Sequence, residues 1–516
     1  MKSIFVTTLF LVLTYSLHAQ QEMFNRVFYD TVPESQGGIT STSIAHASNY
    51  GYMIAGASAF LSGLVFHTDS AGHALWNKTY SVTNSLLQFN RILATNDGSF
   101  MLLGSSHYTD ALCMKINASG DILWSKTISK TGYNLNAVSG EQTADSGFII
   151  SGYTTENAAP YNRVFVARTD VNGELLWTKI FTVGNNSHNA FSVKQTADSG
   201  FLIIGNYLNC SPCYSDAFLI KLSSSGTVSW SKKYKATSTN YNYGFDLANT
   251  VDGYLCSINS GLMKTDFEGN VLWYKSYEQF WGNNCINCPT PKLRICSDST
   301  YLLLRADPWG MESYMLKTDP NGNILWVDNL FLSASDVIES KQKELLVVGN
   351  GPIMGLKGPG VFSPQIGIIQ ANSLGQGLDC VWFNNIMPLA DTIISSLVTF
   401  SEISGGTVTT ISPIVASMNI LEYNGCVDYI GGVGELDKTR QISIFPNPAK
   451  ETVVIDSEIG YMDAILTVYN VSMQLVYQQS INEKQTVLDI SKFSSGLYFV
   501  KINSGKTVGF SRFVKE

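Results

Sequence analysis

The sequence predicts an all-β fold, an eight-bladed or alternatively seven-bladed β-propeller followed by a small Ig-like β-sandwich. The first observation behind this is a repeat. The words QTADSGFIISG at Gln142 return as QTADSGFLIIG at Gln195, and TDVNGELLWTKIF, ending at Phe181, has its counterpart in SSSGTVSWSKKY, ending at Tyr234. A period of about fifty residues is that of a propeller, solenoid or array. The second observation is that Trp76, Trp124, Trp177, Trp230, Trp273 and Trp326, six of the nine tryptophans, share one repeat position. They are read as structural, docking one blade on the next. The third is the pattern between them, short β-branched, aromatic and aliphatic runs bounded by Gly, Asp, Asn and Ser with no sustained helical period, which reads as strands.

Four strands per repeat fit. In the second unit they are expected at Phe89 to Asn96, Phe100 to His107, Ala111 to Asn117 and Asp121 to Ile128. Each unit carries a turn, an apolar run and often a closing glycine, as in Asp145-Ser146-Gly147, Phe148-Ile149-Ile150 and Gly152. First-strand signals near Gly51, Gly98, Gly147, Gly200, Gly253, Thr300, Glu344 and Gly406 make eight units, the last two degraded. The Asp-x-x-Gly words suit hairpins, since Asp bonds its own backbone and Gly accepts positive φ. Calcium is the rival reading, but Asp170-Val171-Asn172-Gly173 lacks the later ligands of an EF-hand loop.

Composition fits a β-rich protein, with 45% hydrophobic and 14% charged residues and a net charge of −8. No Lys/Arg-rich run is present, which argues against nucleic acid as a partner. At the N-terminus, Lys2, the apolar run Ile4 to Leu17 and small residues around Ala19 read as a cleaved signal peptide over residues 1–19. No transmembrane segment is expected further on. Phe24 to Phe28 echoes Trp76 to Tyr80, so an outermost strand precedes any first strand. A closed ring explains this if that strand completes the last blade, with inner strands expected from Gly406 to Ser412 and Ser417 to Tyr423. The propeller is placed at residues 22–430, a Gly-rich, charged linker at 431–441, and seven short strands of a second domain at 442–516.

The D-x-x-G-x-x-L-W-x-K pattern resembles the tryptophan-docking repeat of quinoprotein-like β-propellers, over residues 22–430. That resemblance implies tryptophans packed between blades. It does not extend to redox chemistry, because the adjacent cysteines of the PQQ dehydrogenases have no counterpart here. The C-terminal domain resembles the type A C-terminal sorting domain of the Bacteroidetes type IX secretion system. The matching residues are Phe445-Pro446-Asn447-Pro448, Val468-Tyr469-Asn470, Leu488-Asp489-Ile490, Gly496-Leu497-Tyr498-Phe499-Val500 and Lys515. Met473 and Ser511-Arg512 depart from the family pattern. The resemblance implies export to the surface or the medium, with the type IX machinery as partner.

Local catalytic motifs are absent: there is no H-E-x-x-H, G-x-S-x-G or G-x-G-x-x-G among the six histidines and the glycine-rich loops. A propeller glycosidase leaves no such motif, because its carboxylates come from different blades. No catalytic residue is therefore assigned. Two C-x-x-C words, Cys210/Cys213 and Cys285/Cys288, fall in connections expected on one rim. In an exported protein they read as disulfides, within or between pairs. Zinc is the alternative, since two such pairs supply four thiolates. Otherwise no cofactor is expected. On the same face Tyr207 and Tyr214 flank the first pair, Trp281 precedes the second and Trp309 lies between the second and third strands of the sixth unit; all four are candidates to bind a glycan or protein, unless their loops bury them. The expected function is thus an exported binding propeller, with a secreted hydrolase of polysaccharide or peptide as the alternative.

Overall fold

The structure, a computed structural model, describes residues 25–30, 39–277, 291–351, 365–374, 393–424 and 442–516, apart from short connections within these ranges. The expected signal peptide at 1–19, Phe24 and the expected linker at 431–441 lie outside the described residues. The chain divides into two compact units, residues 1–353 with 358–426, and residues 354–357 with 427–516.

The first unit is built from four-stranded antiparallel meanders. The second of them runs Leu87–Ala94, Phe100–Ser106, Asp110–Ile116 and Ile122–Ser129, within two residues of the expected strands. Among the described residues there are seven such sheets, beginning at Ile39, Leu87, Tyr133, Ser187, Gly244, Lys292 and Ser333. The seventh borrows its fourth strand from the N-terminus: Asn25–Asp30 pairs antiparallel with Gln365–Ala371, Phe28 opposite Ile366.

The expectation for residues 406–423 is corrected. They supply no inner strands of a last blade. Ile393–Leu397, Ser401–Ser404, Thr407–Thr410, Ile414–Ala416 and Ile420–Asn424 instead add a fifth, outermost strand to the fourth, third, second, first and seventh sheets in turn. The chain thus walks backwards along the outer edges. An outer edge has backbone donors and acceptors to satisfy but little apolar surface to cover, and accordingly Thr407 and Thr409 are exposed and Ile414 is 57% exposed.

Packing closes the circle of sheets. Seven apolar clusters each join two successive sheets, and the last returns to the first: Phe28, Leu346, Val348, Ile366 and Ile368 of the seventh sheet pack on Ile39, Ile44, Ile54, Leu64 and Phe66 of the first. The Phe28 and Phe66 rings lie 4.8 Å apart and both are fully buried. Each such side chain contributes roughly 1.5–3 kcal/mol by leaving water. The inner strands of successive sheets also touch around the whole circle.

The closing glycine of the apolar run has a physical reason. Ser41, Phe89, Ala137, Ala190 and Ala334 on the inner strands stand opposite Gly56, Gly104, Gly152, Gly205 and Gly349, and a bulge follows at once on the inner strand. The bulge pushes the inner backbone onto the glycine. A methyl group on Gly152 would come within 1.9 Å of the Asn136 carbonyl oxygen.

In the second unit all seven expected strands form, as one sheet of Ile442–Phe445, Thr452–Ser457 and Gln485–Asp489 and another of Leu475–Ile481, Ala464–Asn470, Gly496–Asn503 and Val508–Lys515. Val453, Ile455 and Leu488 of the first sheet share one core with Leu466, Val468, Val500 and Phe513 of the second.

Candidate functional site

The Asp-x-x-Gly hairpins are self-contained. The Asp170 carboxylate accepts from the Asn172 and Glu174 amides, and Asp319 does the same for Asn321 and Asn323. Their glycines take positive φ, 76° at Gly173 and 77° at Gly322. That leaves a bare backbone on which the preceding sheet's tryptophan rests: a methyl on Gly120, Gly173, Gly226, Gly269 or Gly322 would meet the ring of Trp76, Trp124, Trp177, Trp230 or Trp273 within 3.2 Å. Trp326 continues the series by donating from its indole nitrogen to the Ser373 carbonyl. Lysines two residues after the tryptophan reach across as well, as Lys78 to Asp121 at 2.9 Å and Lys232 to Asn270 at 2.7 Å. Tyr80, Tyr234 and Tyr277 donate to the Gly120, Gly269 and Gly322 carbonyls. Burial pushes all three phenols well above their ordinary range.

Within the second to sixth sheets a second periodic contact ties the third strand to the first turn. Lys115–Asp97, Lys221–Asp198, Lys264–Asp252 and Lys317–Asp298 lie at 2.6–3.0 Å, and Arg168–Asp145 is their equivalent. Bonds from Lys115 and Thr95 hold the Asp97 carboxyl far below its usual range. These charges are structural, and among the described residues no group of three or more His, Cys, Asp or Glu is placed to hold a metal.

Of the residues expected to bind ligand, Trp281 and Trp309 lie outside the described residues, as do Cys285 and Cys288. Cys210 and Cys213 close the second and third strands of the fourth sheet and stand opposite each other in register, with Ser211-Pro212 between. Tyr207 and Tyr214 flank that turn and are half-buried. The Tyr207 hydroxyl accepts from the Asn186 amide at 2.8 Å, and Lys233 lies over its ring, as Lys235 does over Tyr214. Neither ring is free, yet each keeps an exposed part.

The sequence reading missed a layer of residues on the inner strands. Ser43, Arg91, Ser139, Ser192, Asp246 and Asp336 each follow a bulge, and Lys292 holds the same register in the sixth sheet. One residue comes from every sheet of the circle, so the layer surrounds its axis. Asp246 and Asp336 are buried and are bridged by Arg294, with Nη1 3.2 Å from Asp246 and Nη2 on Asp336. Asp246 also accepts from the Leu293 amide, and Asp336 from the Ser43 hydroxyl at 2.8 Å. Burial raises both carboxyls, but Arg294, Arg91 and Lys292 outweigh it and both titrate below their ordinary range. Beside this cluster the bulge residues Phe191 and Phe245 are half-buried, with ring centroids 5.7 Å apart.

The sorting-motif residues are knitted into the second unit. The Asn447 side chain accepts from the Val514 amide at 2.9 Å, and Ala449, which follows Pro448, forms a bridge with Lys515. Phe445 ends the first strand and is half-exposed, ahead of Pro446. Gly496 opens the strand that carries Tyr498, whose hydroxyl donates to Ser494 and whose ring stacks on Phe513 at 5.4 Å. The motif therefore fastens the last strand to the first turn of its own domain.

No helix among the described residues is long and apolar enough to cross a membrane. No curated protein matches the chain in sequence. Among solved structures it is similar to PorZ, an essential bacterial surface component of the type-IX secretion system of Porphyromonas gingivalis, at 10% identity and a TM-score of 0.16 over 92% of this chain and 93% of that one. It is similar to the full extracellular region of plexin A4 at 8% identity and a TM-score of 0.37, over 96% of this chain and 61% of that one. It is also similar to a glycoside hydrolase of family 32 from Bifidobacterium adolescentis at 8% identity and a TM-score of 0.22, over 96% and 94%. Residues 443–516 match the secretion system C-terminal sorting domain, so this chain carries a type IX sorting tail, the mark of a secreted or cell-surface protein.

Proposed function

We propose that the protein is delivered by the type IX secretion system, after removal of an N-terminal signal peptide, and that its first unit is a seven-bladed tryptophan-docked propeller that binds a glycan or protein outside the cell. The Ig-like second unit is then the sorting signal. The match of residues 443–516 to the sorting domain carries the export reading. The state of the axial carboxylates supports binding over hydrolysis. A glycosidase needs one carboxyl kept protonated as general acid and one ionised. Asp246 and Asp336 are both held ionised by the arginine they share, so this pair lacks the necessary asymmetry. The rim tyrosines Tyr207 and Tyr214, with Trp281 and Trp309, remain candidate contacts. Cys210, Cys213, Cys285 and Cys288 are proposed to be oxidised in pairs, with zinc as the alternative.

Deleting residues 442–516 is expected to leave the protein in the periplasm, measured by surface proteolysis and cell fractionation. Surface appearance of the truncated chain would sink the export assignment. For binding, the full chain is expected to retain particular glycans on an array without releasing reducing ends. Turnover of any retained glycan would favour the hydrolase.

A further inference from the structure

The axial layer contains three cations, Arg91, Lys292 and Arg294, and two acids, Asp246 and Asp336. Both acids are already occupied. Asp246 bonds Arg294 and the Leu247 and Leu293 amides, and Asp336 bonds Arg294, Ser43 and the Ile44 and Val337 amides. Arg91 reaches the cluster from the second sheet, and its charge is felt by Asp246, Lys292 and Asp336. It forms no hydrogen bond or ion pair among the described residues, and its Nε is buried without a partner. The cluster thus carries one net positive charge, and its cations Arg91, Lys292 and Arg294 are half-buried. Arg91 has its Nε out of water and its Nη end open to a ligand, and its planar fork suits a carboxylate or sulfate oxygen pair.

The class of molecule bearing that anion follows from the neighbours. Phe245 directly precedes Asp246, and its half-buried ring lies near Phe191 and 5.9 Å from Tyr243. Flat apolar faces beside fixed polar groups match the two sides of a sugar ring. Resting on the reading of the first unit as a binding propeller, we propose that the axial layer is an acidic-glycan site, in which Arg91 receives the carboxylate or sulfate of the sugar and Phe191 and Phe245 offer its ring a surface.

The test titrates the full chain by calorimetry with oligogalacturonate, with neutral galactose oligomers of the same length and with oligoglutamate. Oligogalacturonate should bind, Arg91→Gln should weaken it at least tenfold with an unchanged Tm, and Arg91→Lys, which keeps the charge but not the fork, should fall between the two. Equal affinity for acidic and neutral oligomers, or an Arg91→Gln variant that binds as well as the parent, overturns the acidic site and leaves the broader binding reading standing. Binding of oligoglutamate in place of the sugar overturns the glycan assignment. Silence towards every oligosaccharide, neutral ones included, overturns the acidic site and the glycan arm of the binding reading together. If Arg91→Gln does not fold, competition on the parent chain decides: sodium sulfate at constant ionic strength must displace oligogalacturonate, and failure to displace it counts against the site.

Discussion

Replacing Gly152 with alanine is expected to prevent the first unit from folding at ordinary growth temperature. The added methyl would sit 1.9 Å from the Asn136 carbonyl oxygen and 3.0 Å from both the Asn136 carbon and the Val138 nitrogen. Those are backbone atoms held by the Ala137 bulge, with no side-chain end that could swing aside. Overpacking against side chains typically costs about 1–3 kcal/mol, and a clash with paired backbone exceeds that range. A loss beyond about 3 kcal/mol is a large share of the whole stability of a domain. Thermal and denaturant unfolding would measure it. Gly98→Ala is the control, because nothing lies within 4 Å of the added carbon there, although its φ of 77° still carries a small backbone cost. Equal melting temperatures for parent and Gly152→Ala would refute the bulge account of these glycines.

Asp328→Asn is expected to stabilise the protein, and to do so only above mildly acidic pH. Five sheets carry lysine two residues after the docking tryptophan, at Lys78, Lys126, Lys179, Lys232 and Lys275, whereas the sixth carries Asp328. Its side chain is 2% exposed and makes no hydrogen bond among the described residues, and burial raises its pKa to about 6. A carboxyl whose folded pKa lies above its unfolded value of 3.8 favours folding while protonated. That contribution is complete below about pH 4 and is lost as pH rises through about 6. A rise from 3.8 to about 6 corresponds to at most about 3 kcal/mol, at roughly 1.4 kcal/mol for each tenfold change in acidity. The variant should therefore melt several degrees above the parent at pH 7.5 and close to it at pH 4. A stability difference that does not change with pH would show that Asp328 is not a lone buried acid.

Much of this was legible in the sequence because the repeat writes its own chemistry. The Trp, the Asp-x-x-Gly turn and the Phe-Ile-Ile-Ser-Gly run recur where side chains meet side chains, and those contacts constrain residue type. The outer strands did not yield to the same reading. Thr407–Thr410 and Ile414–Ala416 attach chiefly by backbone pairing, with Val408 and the Thr407 hydroxyl adding the side-chain contacts of the first, so their short β-branched runs look like inner strands. The axial layer was hidden for the opposite reason. Aligned on the apolar run, the position about nine residues upstream reads Ser43, Arg91, Ser139, Ser192, Asp246, Lys292 and Asp336. The position mixes serine, acid and base from sheet to sheet, so no motif survives, although the register itself was available. Tyr207 and Tyr214 were found as aromatics beside a cysteine turn, but the cations lying over them come from the sheet's fourth strand, Val228–Ala236, and could not be foreseen by spacing.

The seventh sheet sets an order of events for the newly made chain. Asn25–Asp30 leaves the ribosome before any other described strand, yet its two neighbours are Gln365–Ala371 and Ile420–Asn424, the nearer about 340 residues later. Until those arrive, the first strand has no edge to join and the first and seventh sheets have no shared core. Closing so long a loop is slow, because its entropy cost falls before the contacts that reward it. The ring therefore has no means of locking itself before nearly the whole of the first unit has been made.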